Sequence, residues 1–584
     1  MTTHPVIETS ASRRLSIIIL LWTLIGCMIP NVWLSMVERM SLLPSLTNIV
    51  LPAGLYLWLM SRTRRIGRAT LWMTILFIFA AFQMVLLYMY GRSVIAVDMF
   101  LNVVTTNPGE VGELLGNMMI IIITVVCIFL PPIIMAIIAV LRRYRLPERA
   151  FRLTRRASHY ALIAGAILFV LSFFGSRPFR PHCDIYPLNI AYNLEVAVHR
   201  TIKVSNYHET SASFRYDASS THPDSVPELY LLVIGETSRA DNWQLDGYDR
   251  PTTPRLINLD GLTSFPRAIS QSNTTHKSVP MLLSPLDAAS FGDSIYCVKS
   301  LVTAFKEAGF HTAFYTAHSR NHSFIDFFGE EADTCIFVKE QGQDKAHYYD
   351  SDLLPYLDRQ LAAGNRKQLI VLHTYGSHFN YIDRYPESQA HFTPDRPSEA
   401  TYHFRDKQVN AYDNTILFTS NFLADVIDRL RSRGGYSAMI YTSDHGEDIF
   451  DDSRHLFLHA SPIPSYYQLH VPFLVWLSPD FAAVHGPEAA ALRANSGKFV
   501  ATSNALFHTL LDLAGLRTPW LHTSSSVASP AYRERPAIYL NDHNDAVALR
   551  NCGILAPDFQ KLDSLHIRLE SSLEWRVQSL ERRV

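Results

Sequence analysis

The sequence predicts an α-helical membrane domain of five transmembrane helices, followed by an α/β domain built on a mainly parallel sheet covered by helices. Three observations carry this. Nearly all the long apolar runs fall before residue 176. Basic residues gather in alternate loops between those runs. After Glu228, short apolar runs alternate with amphipathic helical patterns, the signature of parallel strands joined by crossover helices.

Crossing a bilayer takes roughly 20 apolar residues. The runs at about Leu15–Met36, Leu42–Met60, Ala69–Tyr90, Gly116–Leu141 and Ala157–Gly175 meet that length or come near it. Their faces carry almost no polar residues, unlike helices of a soluble core. The first is too long for a cleavable signal peptide and has four more behind it. Arg13 and Arg14 precede the first span, and Arg62, Arg64, Arg65 and Arg68 separate the second from the third. Arg142, Arg143, Arg145, Arg149, Arg152, Arg155 and Arg156 separate the fourth from the fifth, whereas the other two loops carry only Arg39 and Arg92. Positive charge stays on the cytoplasmic side, so the amino terminus is expected inside and everything after Gly175 outside the cytoplasm.

The 584 residues allow several domains. With 52 basic against 53 acidic residues, the chain has no basic excess that would draw it to nucleic acid. Cys27 and Cys127 lie within spans as small apolar residues. Cys183, Cys297, Cys335 and Cys552 lie in the exported part, where disulfides persist, and the sequence alone does not choose among their pairings.

The expected division is 1–176 as the transmembrane domain, 177–227 as a bridging helix and linker, and 228–584 as the catalytic domain. Within 177–227, IAYNLEVAVHRTIKV has mixed helical periodicity and SFRYDASSTHPDS is polar. The clearest strands beyond are 229–235, 311–317, 368–374, 437–443 and 470–477.

Two of these strands end in metal-type ligands. LYLLVIG runs into Glu236, and SAMIYTS runs into Asp444-His445-Gly446-Glu447. Ligands collect at the carboxyl ends of parallel strands, and two carboxylates and an imidazole there are an oxygen/nitrogen donor set for a metal ion. An isolated Asp-His is commonly a helix cap beside a surface histidine; the paired strand ends favour a metalloenzyme. A nucleophile is expected in SQSNTTHKSVPMLLS, Ser270 to Ser284, where hydroxyl residues precede a helix-like run. A helix amino terminus favours a bound phosphate and an attacking alkoxide, although Thr-Thr by itself is also ordinary capping chemistry.

The set IGETSRADNWQLDGYDRPTTP, NTTHKSVP, HTYGSH, VNAYDNT and SDHGE, placed behind the membrane helices, resembles the bacterial phosphoethanolamine transferases of lipopolysaccharide. That family includes lipid A and core-modifying enzymes and the mobile colistin-resistance enzymes, within the alkaline phosphatase/sulfatase superfamily. The resemblance implies a sulfatase-like periplasmic domain anchored in the inner membrane, with phosphatidylethanolamine as donor and a lipopolysaccharide glycolipid as acceptor. It implies one tight Zn2+ held by Glu236, Thr275, Asp444 and His445, with Thr275 as nucleophile because it stands three residues before Ser278-Val279-Pro280. A second, weaker metal or the donor phosphate is expected to meet His378 and either His459 or His455. Lys277 is a further candidate near the phosphate.

MFLNVVTTNPGEVGE resembles the family's amphipathic segment on the outer membrane face, where Asn102, Thr106 and Glu110 would meet the ethanolamine head group or line the lipid path. Their spacing of four puts them on one helical face, which Pro108 would disturb. The lipid A branch flanks its nucleophile with a disulfide, whereas Gln271 and Met281 stand here; this weakens lipid A as the acceptor and leaves Cys297–Cys335 as the expected bridge. A phosphodiesterase or sulfatase-type hydrolase and a glycerol-phosphate transferase are the alternatives within the superfamily. A non-catalytic protein that binds lipid head groups is the alternative outside it, and such a protein would have no need of Glu236, Thr275, Asp444 and His445 together.

Overall fold

Alternation between strands and helices dominates the second half of the computed structural model, which describes residues 9–38, 40–105, 118–175, 178–342, 345, 347–567 and 569. The chain forms two compact units, Met1–Phe100 with Met118–His199, and Leu101–Asn117 with Arg200–Val584. The division between them falls within the helix Leu188–Ser205.

In the first unit, α1 (Ser10–Val37), α2 (Leu42–Met60) and α6 (Met119–Leu141) are long and apolar enough to cross a membrane. The pair α3 (Ile66–Trp72) and α4 (Thr74–Tyr90), bent by 53°, counts as a fourth span if taken together. A short helix, α5 (Val97–Thr105), follows α4. The fifth expected span is α7 (Glu148–Ser172), whose apolar part begins only after Arg156. Among the described residues, three or four helices therefore meet the length and hydropathy of a span, and the fifth falls short.

Packing inside this unit follows membrane rules: small residues allow close approach, and polar side chains find partners on other helices. A Cβ on Gly165 of α7 would stand 2.7 Å from the Leu51 Cα of α2, so only glycine permits that crossing. Thr47 and Ser172 share a hydrogen bond of 2.9 Å, and Asn31 Nδ2 donates to the Asn48 carbonyl at 2.8 Å. Such bonds contribute on average about 0.6 kcal/mol each in a membrane.

The second unit holds a seven-stranded sheet. Its strands are β1 (Glu228–Gly235), β2 (Leu262–Ser264), β3 (His311–Thr316), β4 (Thr334–Phe337), β5 (Lys367–His373), β6 (Tyr436–Ser443) and β7 (Phe473–Leu477), in the order β2-β7-β6-β1-β5-β3-β4. Neighbours from β6 through β1, β5 and β3 to β4 pair in parallel, while at the other side β7 pairs antiparallel with β6 and β2 antiparallel with β7. The sheet is thus mixed, with a parallel majority. Every residue of β1 and β5 is buried, as expected of central parallel strands covered on both faces. Helix α9 (Thr275–Leu283) and the long helices α10 (Arg405–Arg433) and α11 (Thr502–Leu513) lie among the elements of this unit.

The polar segment expected as a linker is packed into this unit. Tyr216 is fully buried and its hydroxyl donates to the Lys299 carbonyl at 2.6 Å, while Ser219–Ser220 pairs with Leu516–Arg517. Two aromatic rings, Tyr207 and Tyr216, anchor a stretch whose average composition reads as loop. The expected Cys297–Cys335 bridge does not form: all six cysteines are free thiols. Cys335 packs against the core from β4, whereas Cys297 is exposed after a short 3-10 turn.

Candidate active site

Parallel pairing assembles the site. Gly235 on β1 is registered with Ser443 on β6, so the next residue of each strand, Glu236 and Asp444, emerges at the same sheet edge. The loop after β5 closes over them. Gly376 there has φ +52°, and a Cβ on it would stand 2.6 Å from the Glu236 carbonyl; the neighbouring Ser377 N–H donates to that carbonyl at 2.9 Å.

Thr275 is the first residue of α9, after the N-cap Thr274. Its Oγ1 lies 3.3 Å from each Glu236 carboxylate oxygen and 3.1 Å from His445 Nε2. His445 Nε2 is 3.3 Å from Asp444 Oδ2 and 3.5 Å from Glu236 Oε1. Glu236, Asp444 and His445 are all fully buried. Asp444 Oδ1 accepts from the Thr237 and His445 N–H groups at 3.2 and 2.7 Å, which fixes its carboxylate.

This donor set fits a divalent cation. His445 Nδ1 donates to the Gly446 carbonyl at 3.0 Å, so Nε2 carries the lone pair. That lone pair faces two carboxylates, which are also acceptors, and the single Thr275 proton cannot bridge them all. A cation between them satisfies every lone pair. Without one, burial pushes the Asp444 carboxyl up to about 7, and burial, with His459 adding, holds His445 well below its ordinary value. The ligand atoms of Glu236, Asp444 and His445 lie within 4.8 Å of one another.

His378 and His459 form a second group with Glu236. The His459 ring stands 4.4 Å from that of His445 and 5.7 Å from that of His378. Its Nδ1 donates to Glu447 Oε1 at 3.1 Å. Burial, then the neighbouring His459, hold His378 well below the usual imidazole value. His455 is not brought to this site: it stacks on Tyr402 at 3.8 Å. The segment between the two histidines holds the strand Phe457–Leu458 rather than a helical turn, with left-handed backbone at His455 and Leu458, so the two imidazoles are not stacked one turn apart as in a helix.

Asn102 lines the Thr275 pocket, together with His276, His318, Arg320 and Asn321. Thr106 and Glu110 lie outside the described residues. Lys277 lines an adjoining apolar cavity instead, and its ammonium donates to the Asn541 carbonyl at 2.8 Å. At the positions flanking the nucleophile, Gln271 accepts from the Ala288 N–H and Met281 is fully buried.

Sequence reading missed His318 and Glu447. His318 follows the carboxyl end of β3, where the strand-end rule would have found it; Glu447 sits inside the SDHGE motif itself. Glu236, His318 and His373 also form a close group. However, the two rings stack at 4.3 Å with only 16° between their planes. Imidazole lone pairs lie in the ring plane, so nearly parallel stacked rings cannot aim at one ion; His318 is a wall of the pocket.

Residues 228–516 match the family model described as Sulfatase. The phosphoethanolamine transferase EptA of Salmonella typhimurium is 29% identical over 312 residues, covering 52% of this chain and 56% of that protein. The chain thus spans about half the length of the first curated relatives it matches. The crystal structure of the C-terminal periplasmic domain of EptC from Escherichia coli, in complex with Zn, superposes with a TM-score of 0.52 at 25% identity, over 57% of this chain and 95% of that one. The integral membrane lipooligosaccharide phosphoethanolamine transferase A of Neisseria meningitidis shares the fold over 90% of this chain and 99% of its own, with a TM-score of 0.69 at 21% identity. Residues 228–516 thus resemble the sulfatase family, and the chain carrying them resembles the phosphoethanolamine transferases in both sequence and fold.

Proposed function

We propose that this chain transfers phosphoethanolamine from phosphatidylethanolamine to a lipopolysaccharide acceptor, a lipid A, Kdo or core sugar group, through a covalent adduct on Thr275. The observation that carries the reading is the placement of Thr275 Oγ1 at a helix amino terminus, 3.1 to 3.3 Å from His445 and Glu236.

Thr275, Glu236, Asp444 and His445 would hold one zinc ion, which when bound lowers the pKa of a coordinated hydroxyl and offsets charge on phosphoryl oxygens. Thr275 Oγ1 gives its proton toward the Glu236 carboxylate and attacks phosphorus, and the bond from phosphorus to the diacylglycerol oxygen breaks. In the second half, an acceptor hydroxyl or phosphate oxygen attacks the adduct and Thr275 leaves with a proton restored. The N–H groups of the first turn of α9 would meet the phosphoryl oxygens, where the helix dipole favours negative charge. His378 and His459 line the same pocket and would bind the phosphate or a second, weaker metal ion. Asn102 is placed to meet the ethanolamine group.

The adjoining apolar cavity of about 330 Å³, lined by Phe291, Ile295, Phe324 and Phe327 among others, supports a lipid donor. The arginine distribution supports an inner-membrane anchor with the sulfatase-family domain in the periplasm and α7 as a fifth span.

The test is peptide mass spectrometry of the chain supplied with phosphatidylethanolamine and no acceptor. One phosphoethanolamine should accumulate on the peptide holding Asn273 to Lys277. An adduct absent from wild type, or persisting in Thr275→Ala, would sink the reading.

A further inference from the structure

A second large cleft, of about 960 Å³, lies outside the metal-type site, between the loop after α9, the helix α11 and the segment 518–546. Pockets of about 300–1,000 Å³ are the usual size for small ligands. Its walls carry more polar groups than the apolar cavity beside Thr275: His508, His522 and Arg535 stand among them with Asp287, Asn504 and the ring of Trp520.

His508 is the most informative of these. It is 2% exposed, and its Nδ1 accepts the His522 backbone N–H at 3.2 Å. Burial, then His522 and Arg535, push its pKa down to about 3, so the ring is neutral and its proton sits on Nε2. The ring lines the cleft, where an Nε2–H can donate to a ligand oxygen.

The other groups define the ligand. Arg535 is held by Ser525, whose hydroxyl accepts from its guanidinium at 2.6 Å, and it supplies a planar cationic fork suited to phosphate. Trp520 is anchored against Phe214 at 5.1 Å and stays half-buried, offering an aromatic face of the kind that stacks on sugar rings. Asp287 and Asn504 add acceptors and donors for hydroxyls. We infer that this cleft is a binding subsite for a phosphorylated sugar.

The cleft also connects toward the chemistry. It shares Asn544 with the apolar cavity, and that cavity shares His276 and Asn321 with the Thr275 pocket. A glycolipid acceptor seated by its phosphorylated sugar in the cleft would extend along this path. That assignment of the ligand to the acceptor rests on the proposed transfer; the binding itself does not.

The test is isothermal titration of the full chain in detergent micelles with glucosamine 1-phosphate, and in separate arms with glucosamine and with inorganic phosphate. The sugar phosphate should bind at least about tenfold more tightly than either fragment. Arg535→Gln and His508→Leu should each weaken it about tenfold, the cost of one charge-assisted or buried hydrogen bond. His508→Gln should restore it, because the amide can accept from His522 and donate into the cleft. Should His508→Leu fail to fold, Arg535→Gln decides. The donor half-reaction on Thr275 should be unchanged in all of them. No binding by wild type, equal binding of inorganic phosphate, or equal affinity in folded Arg535→Gln would each overturn the subsite and leave the transfer reading standing. Absence of the Thr275 adduct would overturn the transfer reading and leave the binding result intact.

Discussion

Glu447 links two residues far apart in sequence: its Oε1 accepts from His459 Nδ1 at 3.1 Å and its Oε2 from the Tyr381 hydroxyl at 2.9 Å. The carboxylate is fully buried, so it fixes the tautomer of His459 and turns Nε2 toward the pocket. Glu447→Gln keeps the shape but removes the charge and turns one of the two acceptor oxygens into an amide donor. Transfer should fall about 10–100-fold, as for other groups that orient a metal-site histidine, with thermal unfolding little changed. Wild-type initial rates in Glu447→Gln would reduce this residue to a structural role.

Thr274 and Thr275 adjoin in sequence but not in role. Thr274 is the N-cap of α9 and its hydroxyl lies 3.1 Å from that of Ser272, while only Thr275 faces Glu236 and His445. Thr275→Ala should abolish transfer with membrane insertion intact, and Thr274→Ala should retain substantial activity. Activity assays read alongside adduct mapping decide this; loss in Thr274→Ala with an adduct on Thr274 would reverse the assignment.

Zinc content should distinguish Asp444 and His445 from His455. One zinc per chain should survive dialysis in wild type and in His455→Ala, and be lost in Asp444→Asn or His445→Ala, because removing one of four ligands opens the coordination sphere. Metal analysis after dialysis is the measurement. Full occupancy in both Asp444→Asn and His445→Ala would place the site elsewhere.

The His470–Asp241 pair predicts a pH dependence of stability away from the site. His470 donates from Nδ1 to Asp241 at 2.7 Å and from Nε2 to the Pro266 carbonyl at 2.9 Å, which requires the imidazolium. Burial opposes that charge, but Asp241 outweighs it and raises the pKa above 6.5. Asp241 is itself lowered below 3.8, because His470 outweighs its burial. The His470 contribution is therefore complete below pH 6.5 and lost as pH rises through its raised pKa. The Asp241 contribution is present above pH 3.8 and lost as pH falls through its lowered pKa. Asp241→Asn should cost about 2 kcal/mol near pH 6 and flatten the decline above it. Denaturant melts from pH 5 to 9 measure this, and parallel curves for the two proteins would contradict it.

Topology follows from the arginines before the first span and in the two basic loops. A reporter active only in the cytoplasm, fused after residue 215, should be silent. Activity there would invert the orientation.

The sequence by itself determined the division into membrane helices and a sulfatase-like domain, because a bilayer and a parallel sheet each impose a length and periodicity on apolar residues. It also gave up Glu236, Asp444 and His445, since strand ends are visible as the places where apolar runs stop. The fifth span was less clear: Arg149 to Arg156 lie on the same helix as the apolar residues after them, so chain length alone overstates its reach. Tertiary structure brought His459 beside His378 and His445 while His455 stacks on Tyr402, and it left Cys297 and Cys335 unjoined. It placed Glu447 behind His459, turned Lys277 into the neighbouring cavity, and drew Tyr216 from a polar stretch into the core. These depend on register, rotamer and packing between segments that are not neighbours in sequence, none of which leaves a local pattern in the chain.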